Sequence, residues 1–244
     1  MGRRAISDLH ERNSDTVTAH IDHLVVAAST LQEGVAWCER TLGITPGPGG
    51  EHPLMGTHNR LFSIASADYP AAYFEIIAIN SEAACARIHG AKRWFDLENE
   101  ALQGNLKQNG PRLVHFVAST LTAHDAMHAW SQLGIDRGEL LEASRMTAQG
   151  KLSWKITVRS DGQRLMHGTL PTLIEWGDVH PTHHMAASGV TLHSLAATLP
   201  ETDELRAAHG AINLQGVGVT QGPPNLIATL QTPRGLVTLE SSGI

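Results

Sequence analysis

Short apolar runs separated by glycine, proline and polar clusters organise this chain, and their periodicity alternates between that of strands and that of helices. Residues 20–28 read as a strand with two apolar faces, Ile21, Val25 and Ala27 on one and Leu24, Val26 and Ala28 on the other. Ser29 or Thr30 can N-cap a helix over 31–42, with Glu33 in its first turn and Gly43 at its end. Thr45 to Gly50 is a Gly/Pro-rich strand end and loop. Strands follow at 59–66 and 73–80, and 82–104 reads as a helical link.

After Gly110-Pro111 the order recurs: a strand at 112–119, a helix at 121–133 ended by Gly134, and strands at 139–146, 152–159 and 169–177. Asp161-Gly162 marks a turn, and 178–188 is a polar, His-rich connection. A shorter third pass has a strand at 190–198, a helix at 201–209 and strands at 212–219, 225–231 and 235–240. The sequence therefore predicts an α+β fold built from three β-α-β-β-β units. Their expected boundaries are a loose extension over 1–18, a first module with its linker over 19–109, a second over 110–188 and a third over 189–244.

The repeat changes how four residues are read. Each of the first two units opens on a strand with one histidine, His23 or His115, and closes on a strand with one glutamate, Glu75 or Glu175. The separations are similar, 52 and 60 residues. Glu75 shares its face with Tyr73, Ile77 and Ile79, so its carboxylate needs a cation, a donor or a proton. If the first and last strands of each unit are neighbours, pseudo-symmetry brings two imidazoles and two carboxylates to one centre. Such a set suits Ni, Co, Zn, Mn or Fe, and the lack of thiolate favours a catalytic over a structural zinc. Read singly, a strand histidine is an ordinary core residue and a strand glutamate pairs with an arginine or faces water. The agreement of type, place and apolar context carries the metal reading.

Composition narrows the classes. The chain has 244 residues, 41% hydrophobic and 17% charged, enough for a substantial core. A net charge of −6 speaks against nucleic-acid binding. No apolar run approaches the roughly 18 residues of a membrane span, and no signal peptide follows Arg3-Arg4. Cys38 and Cys85 both fall in segments read as helical, so reduced thiols and a cytoplasmic location are expected.

Three segments bring a family into view. Ile21 to Val26 resembles the opening strand of the vicinal oxygen chelate superfamily, and Gly56-Thr57-His58-Asn59 resembles the loop before the third strand in its glyoxalase-like group. Leu170 to Trp176 resembles its closing strand, so the resemblance covers about 20–180. It implies paired βαβββ modules forming a cupped mixed sheet around a divalent metal, held by His23, Glu75, His115 and Glu175. This set is similar to that of bacterial glyoxalase I.

The implied chemistry is that of a metal-dependent lyase or isomerase. Its small substrate would chelate through two vicinal oxygens, and Glu175 or Glu75 would take a proton to leave an enediolate. Glu175 is the favoured base. One alternative is an Fe(II) extradiol-type dioxygenase, for which three protein ligands suffice. Another is a metal-free binding or resistance protein using the same pocket.

Other residues carry weaker readings. His58, Asn59 and Trp94 are candidate substrate contacts, against the blander readings of a turn asparagine and a helix-end aromatic. His180, His183 and His184 could form a second metal site but read more simply as a solvated loop. His193 and Glu240 echo the pattern in the third unit, which reads as a module covering the sheet or forming a homodimer contact.

Overall fold

The computed structural model describes residues 17–81, 92–147 and 150–243. Its first unit comprises β1 (Ala19–Ala27), α1 (Leu31–Leu42), β2 (Glu51–His52), β3 (Thr57–Ser63) and β4 (Tyr73–Ile79). Thr30 caps α1 by accepting from the Glu33 N–H at 3.1 Å, and Gly43 ends it with φ 77°. A linking helix, α2 (Glu100–Asn109), leads to β5 (Arg112–Thr120), α3 (Ala123–Ser131), β6 (Glu139–Thr147), β7 (Gly150–Val158) and β8 (Thr172–Trp176). The third unit is β9 (Thr191–Leu199), α4 (Thr202–Ala211), β10 (Val217–Gln221), β11 (Asn225–Thr232) and β12 (Gly235–Glu240).

Two expectations shift locally. The linking helix begins at Glu100 because Asn99 is its N-cap, accepting from the Ala101 and Leu102 N–H groups at 2.9 and 3.1 Å. Upstream, Phe95 and Asp96 take positive φ, which no helix continues. Residues 82–91, with Cys85, lie outside the described residues. The second shift is that the strand expected over 59–66 runs Thr57–Ser63, which brings His58 into β3 beside Asn59.

Eight strands form one curled sheet in the order β2-β3-β4-β1-β5-β8-β7-β6. The first and last strands of both leading units are neighbours, β1 parallel to β4 and β5 parallel to β8, while β1 and β5 join the two units antiparallel. This is the vicinal oxygen chelate arrangement with a further C-terminal module. One face of the sheet, with Leu24, Val26, Phe74, Ile76 and Phe116, packs against Cys38 and Leu42 of α1 and against Leu192, Leu195 and Leu230 of the third unit. The other carries Val25, Ala27, Ile77, Val117, Ile156 and Ile174 beneath Leu97, Leu102 and Leu106. At the packed face, a Cβ on Gly34 of α1 would lie 2.4 Å from Cγ2 of Ile76. Burial pushes the Cys38 thiol up to about 12, so it packs as a small hydrophobe.

The third unit repeats the element order but not the pairing. Its sheet runs β10-β9-β11-β12, because the short α4 crossover lays β10 parallel beside β9. β11 takes the other side of β9 and β12 is pushed to the edge. His193 and Glu240 therefore stand on strands separated by β11, both exposed, and Glu240 accepts from Nδ2 of Asn225 at 3.2 Å. The echoed pair forms no centre within the chain.

Candidate active site

The parallel pairing of β1 and β4 places His23 opposite Tyr73 and Val25 opposite Glu75. A register shift between Ile21 and His23 interrupts the pairing of β1 with β5, and both Asp22 and His23 are buried there. Nε2 of His23 lies 3.6 Å from Oε2 of Glu75, and the imidazole stacks on Tyr73 with ring centroids 4.4 Å apart.

Each member of this pair is held from behind. His23 donates through Nδ1 to Oδ1 of Asp22 at 2.6 Å. The other oxygen of Asp22 accepts from the Trp176 indole N–H at 2.8 Å and from Nε2 of His180 at 3.0 Å. Asp22 is completely buried, which by itself raises a carboxyl pKa, but the bonds from His180 and His23 outweigh burial and hold it well below the ordinary carboxylate range. On the other flank, Oε1 of Glu75 accepts from Nδ2 of Asn59 at 2.6 Å. Asn59 also accepts from the Gly50 N–H at 2.8 Å and places Nδ2 3.3 Å from Nε2 of His52. His52 completes the row with Nδ1 3.0 Å from Oγ1 of Thr57. Burial, with the positive charge of Arg145 second, depresses His52 to about 3, so it is neutral. Burial and the neighbouring Asp22 and Glu75 push the Tyr73 phenol well above its ordinary value, so it keeps its proton.

A narrow cavity of about 40 Å³ opens onto this row, with His23, Glu75, Tyr73, Asn59 and Arg145 in its wall. Beside it lies a wider, mainly apolar cavity of about 340 Å³, and His52, Trp94, Arg145, Trp154 and Ile156 border both.

The second unit's predicted residues go elsewhere. His115 is fully buried and both ring nitrogens are engaged. Nε2 accepts from the Thr172 N–H at 3.1 Å, leaving Nδ1 to donate to the Gly168 carbonyl at 3.0 Å. The Arg137 guanidinium lies 3.4 Å from that Nε2 while donating to Thr172 and Pro171. Burial, with Arg137 second, holds His115 well below its ordinary pKa. Glu175 accepts from Nζ of Lys155 at 2.7 Å and from the Ala123 N–H, at the start of α3, at 3.0 Å. Ile174 and Trp176, one position to either side, pack over the cavity face instead. The second unit thus lends Trp176 and His180 to the site.

The comparisons complete this picture. The profile of the glyoxalase-like domain matches residues 21–212. The chain belongs to the glyoxalase-like domain family. No curated protein matches it significantly. Among solved structures, a hypothetical protein from Staphylococcus aureus aligns with a TM-score of 0.55 at 11% identity, covering 91% of this chain and 85% of the other. A methylmalonyl-CoA epimerase from Streptomyces coelicolor, in complex with 2-nitronate-propionyl-CoA, aligns at 0.39 and 17% identity, with 65% and 97% covered. The Mycobacterium tuberculosis epimerase gives 0.37 and 13%, with 68% and 92% covered.

The superfamily resemblance implies a four-ligand metal centre, and the residues of this glyoxalase-like chain do not fit one. Only Nε2 of His23 and Oε2 of Glu75 approach a common point. His115 has no free lone pair and sits beside a guanidinium, where a second cation is repelled. Glu175 is committed to Lys155 and α3. Among the described residues, no group of three or more His, Cys, Asp or Glu side chains is gathered as a metal ion needs. His183 and His184 are exposed, while His180 is spent on Asp22 and Thr182. Sequence reasoning missed Asp22, Tyr73, His52, Arg145 and Trp176, and gave Asn59 its weaker role. The motif Gly56-Thr57-His58-Asn59 was the available signal for Asn59.

Proposed function

We propose that the protein is an isomerase or lyase that moves a proton next to a carbonyl group of a small substrate, using the first unit's Glu75 and His23. The supporting observation is the buried pair itself, 3.6 Å apart, held from both sides and bordering a cavity. A base is useful when it is oriented, desolvated and within reach of the proton. Asn59 satisfies one oxygen of Glu75 and leaves the other beside His23. Asp22 fixes Nδ1 of His23, so that Nε2 is the ring atom turned toward the glutamate.

In the step we assign, Glu75 takes the proton from carbon and the bonding pair moves to the carbonyl oxygen, giving an enolate. Where that carbon carries a hydroxyl the intermediate is an enediolate, and return of the proton to the former carbonyl carbon, with the hydroxyl proton passing to the neighbouring oxygen as the new carbonyl forms, completes an isomerisation. Expulsion of a leaving group from the next carbon completes an elimination. Tyr73 keeps its proton and lines the same wall. Nothing in this sequence of steps uses Glu175. The test is uptake of deuterium from D₂O at the carbon beside the carbonyl of candidate oxo acids, followed by NMR for the wild type and Glu75→Gln.

A further inference from the structure

Among the described residues, the wall of the proposed site holds a cation without a partner. Arg145 lies on β6 and borders both the narrow cavity with His23 and Glu75 and the wider apolar one. Its Nε and Nη1 are shielded from solvent and make no hydrogen bond, and among the described residues it forms no ion pair. Glu51 and Glu142 border the wider cavity but do not reach it. The Trp94 indole N–H, in the wall of both cavities, is likewise buried and unpartnered. Two shielded donors left open on a half-buried guanidinium are costly unless something supplies acceptors, and its planar fork matches a carboxylate. Room for the guanidinium comes from Gly50, where a Cβ would lie 1.8 Å from Nη1.

We propose that Arg145 anchors the carboxylate of the substrate, with Trp94 as a second donor, and that the apolar part of the same molecule fills the adjoining cavity of about 340 Å³. The substrate class is then an oxo acid with an apolar tail. This inference rests on the proton-transfer reading only for the carbonyl, since the anion site stands on Arg145 and the two cavities. Pro53, Leu54, Met55, Leu141 and Val158 supply the tail's surroundings. Arg145 is a specificity residue here: it selects charged acids over their neutral counterparts.

The experiment is calorimetric titration of 2-oxooctanoate and its methyl ester into the wild type, Arg145→Met and Gly50→Ala. The wild type should bind the acid at least about tenfold more tightly than the ester, as one added charge-assisted contact gives. Arg145→Met should abolish that preference while still binding the ester. Gly50→Ala keeps the charge but displaces the guanidinium, and should weaken the acid alone. Equal binding of acid and ester by the wild type, no binding of the acid, or a preference that survives Arg145→Met overturns the proposal. Deuterium uptake by the bound acid separates the two readings. Acid preference without exchange leaves the anchor standing and sinks the proton transfer, whereas exchange without acid preference does the reverse.

Discussion

Oε2 of Glu75 faces Nε2 of His23 across 3.6 Å, from one parallel strand to its neighbour, while Glu175 on the equivalent strand of the second unit binds Lys155 on the opposite face of the sheet. The two glutamates are equivalent in the repeat and different in use. Glu75→Gln keeps an acceptor for Asn59, so it should fold normally and lose about 100-fold or more in proton exchange. Glu175→Gln also keeps an acceptor for the Ala123 N–H, so it should exchange at the wild-type rate and lose only about 0.5 kcal/mol of stability, from removing the negative charge at the start of α3. Equal losses in both variants would contradict this assignment.

The resemblance predicted a metal, and the donor arrangement predicts its irrelevance to folding. Exhaustive dialysis against a chelator should leave the thermal midpoint unchanged, because a ligand that binds only the folded state would raise it. A midpoint that falls on chelation and returns with one equivalent of Ni, Co, Zn, Mn or Fe would restore the four-residue centre.

His52 gives the fold a pH signature. Its folded pKa is about 3 against an ordinary 6.5, chiefly through burial and next through Arg145. The unfolded chain therefore takes up a proton below pH 6.5 that the folded chain refuses until about pH 3. The contribution of neutral His52 is complete above the unfolded value and declines as pH falls, by up to about 1.4 kcal/mol per unit. Burial shifts His115 and His209 in the same direction. Denaturant titrations from pH 7 to 4 should show stability dropping with acid, and His52→Gln should reduce the slope by about one proton. A slope unchanged in that variant would place the pH response elsewhere.

Most of the architecture was legible because strand and helix periods, glycine stops and caps are local properties. Thr30, Gly43 and the two-faced apolar strand around His23 needed no tertiary information. The ligand set was not legible, for a reason of period. Leu173, Ile174, Glu175 and Trp176 alternate between faces, yet both faces of β8 are apolar, so hydrophobicity could not say which side carried Glu175. The deciding fact is cross-strand register, Lys155 against Glu175, and sequence does not reveal it. Likewise the third unit kept its element order while α4 changed which strands pair, separating His193 from Glu240. Arg145 was invisible for the opposite reason: only its lack of partners makes it notable.

That lack also predicts a stability effect. Removing a half-buried guanidinium with two shielded, unsatisfied donors should leave Arg145→Met as stable as the wild type or more so by about 1 kcal/mol. Thermal melts without added ligand check this. A large destabilisation would mean that Arg145 is already satisfied within the fold.

Proton transfer by Glu75 is tested most directly by the rate of deuterium uptake at C3 of 2-oxooctanoate in D₂O, compared among the wild type, Glu75→Gln and Glu175→Gln. Exchange by the wild type and Glu175→Gln, with at least about a hundredfold loss in Glu75→Gln, is the predicted result. Exchange that depends on Glu175 as much as on Glu75, or no exchange by the wild type, would contradict a proton-transfer site built by the first unit.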